Sequence, residues 1–221
     1  MAKKQVKKSS KGELPRGKLA LRKDLRVFSN ELPNIKLPYK RVVGLDLASS
    51  AGFAFCDIIP GQLCTNGEII GGQWDLSLSR YDTQGIRLIR LKQYLYAISP
   101  DLIMYEEVKY TGKTPPGDIN VTALIARAVT GAAVVQSLCA ALVTWAEELD
   151  IPTEAVPVGT LKKYATGSGN ANKVAMIEAC NEQMGTDFVP DTYESTGCDN
   201  IADAMFLCKM GVHNYSQGLN H

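Results

Sequence analysis

Short apolar segments rich in β-branched residues alternate with longer segments of helical periodicity, and this alternation constrains the fold more than any other feature. Three strands are predicted in succession, and single strands and helices then alternate along the chain. The predicted strands are 41–50, 51–59, 66–76, 100–108 and 152–158, and the predicted helices are 79–99, 119–150, two within 158–185, and 198–210. We therefore predict an α/β fold with a central five-stranded mixed sheet flanked by helices.

Length and composition exclude several classes of protein. The chain has 221 residues, of which 45% are apolar and 21% charged, so it is expected to form one globular domain with a sizeable core. No apolar run approaches the roughly 18 residues of a membrane-spanning helix. No signal peptide is visible, so we expect a cytoplasmic protein.

The cysteines are not arranged as a zinc site. The chain has six, none of them in a C-x-x-C pair, so a structural zinc ion is not expected. Without an export signal we expect all of them to be reduced thiols. They are Cys56, Cys64, Cys139, Cys180, Cys198 and Cys208.

The N-terminal segment 1–38 is strongly basic. It carries 11 Lys and Arg against three Asp and Glu, whereas the whole chain has 24 against 23. Because it has few large apolar residues, we predict a flexible tail that precedes a folded domain over 39–221. Such an arm suits a polyanion such as nucleic acid. The alternative is a solvated tail without a binding role.

Acidic residues stand at the ends of apolar elements. Asp46 ends the first predicted strand, and Glu106 and Glu107 end the fourth. Asp199 and Asp203 are four apart in the last helix and therefore share one face. Carboxylates brought together in this way repel one another unless a cation lies between them, and Mg²⁺ prefers such oxygen ligands. The sequence thus predicts a magnesium site at one edge of the sheet.

Each acid also has an ordinary structural interpretation. Asp46 could be a turn residue, the two glutamates could mark where a strand meets solvent, and Asp199 could favour a helix N-terminus. Asp203 is harder to explain in this way, because it is the one acid in the apolar stretch IADAMFLC. Taken jointly, the five acids favour the metal site.

The run TGSGNANK between the acidic segments suggests phosphate binding. Gly167 and Gly169 would let the backbone approach a phosphate, with Lys162, Lys163 and Lys173 nearby to neutralise its charge. The alternative is an ordinary turn between helices. Phe53, Phe55 and Trp74 are expected to be core residues.

The segments GLDLASSAGFAF, YEEV, VGTLKKYATGSGNANK and DNIADAMFL, in this order, resemble the RuvC-type Holliday junction resolvases, and most closely their bacteriophage and prophage variant. The resemblance covers roughly residues 40–211. It implies a ribonuclease H-like fold and two Mg²⁺ ions per active site, for which Mn²⁺ can substitute. It also implies a homodimer formed in part by helix 119–150, and no nucleotide cofactor.

The resemblance implies roles for individual residues. Asp46, Glu106 and Asp203 would be metal ligands, with Glu107 in reserve for Glu106. Bacterial members place the fourth acid at the position of Asn200; here we assign that ligand to Asp199, because a carboxylate binds Mg²⁺ better than an amide. Lys162 and Lys173 would handle the scissile phosphate. In the polar loop 109–118, Tyr110 and Lys113 would contact DNA, with Tyr110 stacking at the centre of the junction.

The implied function is a metal-dependent endonuclease that resolves four-way DNA junctions by paired symmetric nicks through two-metal hydrolysis. One alternative is a nuclease of the same fold that cuts forks, Y-junctions or RNA in hybrids. Another is a non-catalytic junction-binding protein. A kinase-like or transposase relative is disfavoured by the short chain.

Overall fold

The computed structural model describes residues 40–58, 69–107, 121–189 and 197–218. The predictions for the basic tail, for Cys64, and for Tyr110 and Lys113 lie outside the described residues.

A five-stranded mixed sheet forms the centre of the molecule, as predicted. Its order is β3-β2-β1-β4-β5. β1 pairs antiparallel with β2 and β2 with β3, whereas β1–β4 and β4–β5 are parallel. The strands are β1 (Lys40–Asp46), β2 (Ser50–Ile58), β3 (Ile70–Asp75), β4 (Leu102–Glu107) and β5 (Thr153–Pro157).

Helices cover both faces of this sheet. Because side chains alternate along a strand, Val43 and Leu45 point to one face, where Leu95 and Leu142 also lie in the core. Val42 and Met104 point to the other, with Ile177 and Phe206 among others. The helices are α1 (Gln84–Ile98), α2 (Val121–Glu148), α3 (Val158–Thr166), α4 (Lys173–Met184) and α5 (Cys198–Gly218). The first two cover one face and α3–α5 the other, which we call the α5 face.

The aromatic residues expected in the core are buried. Phe53, Phe55 and Trp74 all lie in the cluster beneath α1 and α2. Trp74 stacks between Phe53 and Tyr94, with ring centroids 4.8 and 5.0 Å away. These rings pack β2 and β3 against α1.

The predicted start of the first helix was wrong. Helix α1 begins at Gln84, with Thr83 as its N-cap, and not near Ser79. The Ser79–Asp82 spacing that suggested a helix end forms a separate turn: the amide of Ser79 donates to Asp82 Oδ2, and the amide of Asp82 donates to the Ser79 carbonyl. Arg90 of α1 also donates to Asp82 Oδ2 at 2.7 Å and so ties this turn to the helix.

The predicted end of the last helix was wrong as well. We expected fraying after Met210, but α5 continues to Gly218. Val212 and Tyr215 are partly buried against the core of the α5 face. This apolar packing holds the additional turns in place, although the segment is polar on average.

The prediction of reduced cysteines was wrong for Cys56. Cys139, Cys180, Cys198 and Cys208 are thiols, but Cys56 is disulfide-bonded. The prediction rested on the expected cellular compartment, which carries no information about which thiols the fold brings together.

No helix within the described ranges is long and apolar enough to cross a membrane.

Candidate active site

Two acidic residues end neighbouring parallel strands at the same edge of the sheet. Leu45 of β1 pairs with Tyr105 of β4, and the next residues along the two strands are Asp46 and Glu106. Gly44 and Met104, which lie two residues earlier on the same two strands, face α5. By alternation, Asp46 and Glu106 therefore point to that face together.

The same alternation separates Glu106 from Glu107. Ile103 belongs to the core beneath α1 and α2, and Tyr105 packs against that core. Glu107 follows Tyr105 by two residues, so its side chain points to the same face as those of Ile103 and Tyr105. That face is opposite to the one covered by α5. The sheet thus distinguishes the two glutamates that the sequence left side by side.

Helix α5 lies against β1 at backbone distance. A Cβ atom on Gly44 would stand 2.2 Å from the carbonyl oxygen of Ala204 and 2.4 Å from the amide nitrogen of Cys208, so only glycine fits there. Asp203 directly precedes Ala204. This close approach brings the acids of α5 to the strand ends.

Four acids at this edge of the sheet are linked by electrostatic effects. Burial raises the pKa of Asp46 well above its usual value, and repulsion from Glu106, Asp203 and Asp199 adds to the effect. Burial, then Glu106 and Asp199, raises the pKa of Asp203 to about 7. Burial also raises the pKa of Glu106. We call Asp46, Glu106, Asp199 and Asp203 the carboxylate cluster.

Two lysines face this cluster from α3 and α4. The positive charge of Lys162 opposes the upward pKa shifts of Glu106 and Asp203. Lys173, the first residue of α4, donates from Nζ to Asp199 Oδ2 at 2.6 Å. Its helix is capped by the side chain of Asn172, which accepts a hydrogen bond from the Ala175 amide. Lys163 is exposed on α3.

The glycine-rich run forms a capped turn between α3 and α4. Gly167 has φ 80° and ends α3, donating its amide to the Lys163 carbonyl. Thr166 Oγ1 accepts a hydrogen bond from the Ser168 amide at 3.2 Å. Gly169 lies close to Gly159, since a Cβ there would be 3.2 Å from the Gly159 carbonyl oxygen. This geometry is that of an ordinary turn between helices, which leaves phosphate binding here a prediction.

Position 200 does not join the cluster. Asn200 donates from Nδ2 to the carbonyl oxygen of Ser50, at the start of β2, over 2.6 Å. The side chain next to it, Asp199, is the one that repels Asp46 and Asp203.

The donor chemistry of the cluster fits a hard divalent cation. All four side chains are carboxylates, and Asp203 Oδ1 is buried without a hydrogen-bond partner among the described residues. Such an oxygen is costly to bury unless a cation or a donor lies beside it. In their present orientations, however, no three His, Cys, Asp or Glu side chains in the described segments form a group that could hold a metal ion. The four carboxylates are thus not already arranged as a metal site in this structure.

Cys139 lies on the other face of the sheet from the cluster, half-buried against the core beneath α1 and α2, and an effect of the acids on it was not anticipated. It lies on α2, and burial together with the charges of Asp46 and Glu106 raises its pKa to about 11. Nothing in its sequence context distinguishes it from the other cysteines, because its position depends on how α2 crosses the sheet.

Solved structures with this fold were found. The RuvC structure of Thermus thermophilus is 17% identical, with a TM-score of 0.51 over 78% of this chain and 97% of that one. T. thermophilus RuvC in complex with a Holliday junction substrate is 15% identical, with a TM-score of 0.52 over 76% and 90%. The yeast mitochondrial Holliday junction resolvase Ydc2 is 14% identical, with a TM-score of 0.47 over 77% of each chain. No family model and no curated sequence matches the chain.

These likenesses show the fold. The chain has a ribonuclease H-like α/β fold, which is similar to that of the T. thermophilus RuvC structures. The predicted fold class is thereby confirmed. The phage-like variant stays a prediction.

Proposed function

We propose that this protein is a magnesium-dependent endonuclease that resolves four-way DNA junctions. The observation that carries the proposal is the carboxylate cluster, which lies at one edge of the sheet in a RuvC architecture and is faced by Lys162 and Lys173. A protein that only binds DNA has no use for four mutually repelling carboxylates beside the phosphates. A metal-dependent nuclease needs them, because the ions bind between the carboxylates and the phosphate.

Asp46, Glu106, Asp199 and Asp203 would hold two Mg²⁺ ions, for which Mn²⁺ can substitute. The bound ions would supply a water activated for attack and charge stabilisation for the leaving oxygen. Asp203 would contribute an oxygen that is buried without a hydrogen-bond partner among the described residues, and the charges of the three other acids all act on Asp46. A bound divalent ion would attract all four carboxylates and so would offset the repulsion between them.

Lys162 and Lys173 would neutralise the scissile phosphate. The side chain of Lys173 is 60% exposed although its ammonium contacts Asp199, so it can reach both the cluster and a phosphate outside it. Lys163 is exposed on the same helix as Lys162 and would contact the DNA backbone nearby. Backbone contacts of this kind position nucleic acid without reading its sequence.

We propose that the protein acts as a homodimer, because a four-way junction has two-fold symmetry and its resolution needs two symmetric nicks. Helix α2 presents small residues to solvent, among them Gly131, Ala133 and Ala140, and such residues allow two helices to approach closely. Sedimentation velocity with and without a four-way junction would test this, and a monomer in both conditions would contradict it.

A panel of labelled substrates tests the proposed function. Four-way junctions, Y-junctions, forks, linear duplex and an RNA–DNA hybrid would be incubated with the full-length protein and Mg²⁺. We expect paired symmetric nicks in the four-way junction only. Cleavage confined to forks or Y-junctions would support the proposed nuclease activity but would contradict the four-way junction as its substrate. Tight junction binding without cleavage in Mg²⁺ or Mn²⁺ would indicate a non-catalytic binding protein.

A further inference from the structure

Asn200 connects the first turn of α5 to the sheet beside the carboxylate cluster. Its Nδ2 donates to the Ser50 carbonyl oxygen over 2.6 Å, across 150 residues of sequence. Ser50 is the first residue of β2, and in the β1–β2 ladder Asp46 pairs with Gly52, two residues further on. The hydrogen bond therefore lies next to the strand end that carries Asp46.

The backbone at this point is as close as glycine allows. A Cβ on Gly52 would lie 1.9 Å from the carbonyl oxygen of Asn200 and 2.9 Å from the amide of Ile201. The main chain of α5 thus rests directly on β2 at Gly52, while the Asn200 side chain binds β2 two residues earlier, at Ser50. Together the two contacts fix both the distance of the first turn from the sheet and its rotation about the helix axis.

That rotation decides which side chain faces the cluster. Successive residues of an α-helix are about 100° apart around the axis, as follows from 3.6 residues per turn. With Asn200 directed at β2, the preceding residue Asp199 is directed toward α4, where it contacts Lys173. Asp203, four residues after Asp199, lies on the same face.

We propose that Asn200 is a positioning residue: by binding the Ser50 carbonyl it orients α5 so that position 199, and not position 200, supplies the fourth carboxylate. The inference rests on the proposed function only for the identity of the ligand that the cluster takes. An aspartate at position 200 would set a carboxylate against the Ser50 carbonyl oxygen, so an acid there cannot take over from Asp199.

A swap of the two side chains tests this. The variants are Asn200→Ala, Asp199→Asn, and the double variant Asp199→Asn with Asn200→Asp, which keeps the charge of the segment and moves the acid by one position. Binding of Mn²⁺ to the full-length protein would be followed by the electron paramagnetic resonance signal of the free ion. Amide hydrogen exchange of residues 198–204 without metal would be measured in parallel.

The matched control is Asn181→Ala. Asn181, near the other end of α4, also donates to a backbone carbonyl, that of Phe188, over 2.8 Å. Its loss should lower the melting temperature without changing Mn²⁺ affinity.

We expect Asn200→Ala to weaken Mn²⁺ binding roughly tenfold, as is typical when a residue that orients a ligand is removed. Exchange of the α5 amides should accelerate in that variant. The double variant should bind Mn²⁺ as weakly as Asp199→Asn alone. Restored binding in the double variant, or Mn²⁺ affinity and exchange in Asn200→Ala equal to wild type, would overturn the inference.

Failure of the proposed function has a different signature. A wild-type protein that binds Mn²⁺ but cuts no junction would remove the nuclease activity and leave the inference standing. If the wild type binds no Mn²⁺, the nuclease proposal fails. The amide hydrogen exchange of Asn200→Ala would then decide the positioning role by itself. Unchanged exchange would overturn that role as well, whereas accelerated exchange would support it.

Discussion

Lys173 Nζ contacts Asp199 Oδ2 at 2.6 Å, and this ion pair joins the first residue of α4 to the first turn of α5. One acid of the carboxylate cluster, Asp199, is thus already paired with a positively charged side chain of the protein. A divalent ion and this ammonium would compete for the same carboxylate.

Replacing Lys173 by Met should therefore have opposite effects on metal binding and on cleavage. We expect Mn²⁺ to bind several-fold more tightly, because a competing positive charge is gone. Single-turnover cleavage of a four-way junction should fall by roughly tenfold or more, because removing one charge-stabilising group typically costs a few kcal/mol. Lys163→Met, which removes an exposed lysine of α3, is the control for metal binding. Weaker Mn²⁺ binding by Lys173→Met would contradict this account.

The stability of the metal-free protein should fall as pH rises toward neutrality. The pKa of Asp203 is raised from 3.8 to about 7, so between these values the folded state holds a proton that the unfolded state has lost. The free energy of unfolding therefore decreases as pH rises through this window, by at most roughly 1.4 kcal/mol per pH unit. Asp46, whose pKa is also raised, acts in the same direction.

Asp203→Asn should consequently raise the melting temperature of the metal-free protein at pH 8 and have little effect at pH 4. Thermal unfolding in the presence of a chelator would measure this. Asp187→Asn, at an exposed position, should change neither value. Equal melting temperatures for Asp203→Asn and wild type at pH 8 would show that ionised Asp203 does not destabilise the folded protein.

Glu106 and Glu107 should differ sharply when replaced by Gln. Glu106→Gln removes a member of the cluster and should slow cleavage by roughly 100-fold or more, since metal-ion stabilisation of the transition state is worth several kcal/mol. Glu107→Gln should cleave within a few-fold of wild type, because its side chain points to the opposite face of the sheet. Single-turnover rates at saturating Mg²⁺ would compare them. Equal losses would contradict the assignment by strand alternation.

Gly44→Ala should destabilise the protein. The added methyl would overlap the backbone of α5 at 2.2 Å, and overpacking of this kind costs about 1–3 kcal/mol. Gly85→Ala is the control, because the nearest atom to its Cβ would be Thr83 Oγ1 at 3.8 Å. Urea unfolding would measure both. A Gly44→Ala protein as stable as wild type would mean that α5 can move away from β1 freely.

Much of this architecture was accessible from the sequence. Alternation of apolar strands and helices predicted the five-stranded mixed sheet, since each element shows its own hydrophobic period. The acids at the ends of β1 and β4 were predicted to meet because parallel strands end at one edge. The spacing of Asp199 and Asp203 was enough to place them on one helix face.

What the sequence did not provide depends on contacts between distant segments. The start of α1 was misplaced because the Ser79–Asp82 turn uses the same residue types as a helix cap. The end of α5 was misplaced because Val212 and Tyr215 pack against a core formed elsewhere in the chain. Likewise, the role of Asn200 depends on Ser50, and no local pattern relates the two.

Cleavage of a labelled four-way junction in Mg²⁺ by the wild type and by Asp46→Asn tests whether the carboxylate cluster is a catalytic centre. Asp75→Asn serves as control, because Asp75 is an exposed acid at the same edge of the sheet but on the outer strand β3. We expect paired symmetric nicks with the wild type and the control, and none with Asp46→Asn, which should still bind the junction. Cleavage by Asp46→Asn at the wild-type rate would show that the carboxylate cluster is not the catalytic centre.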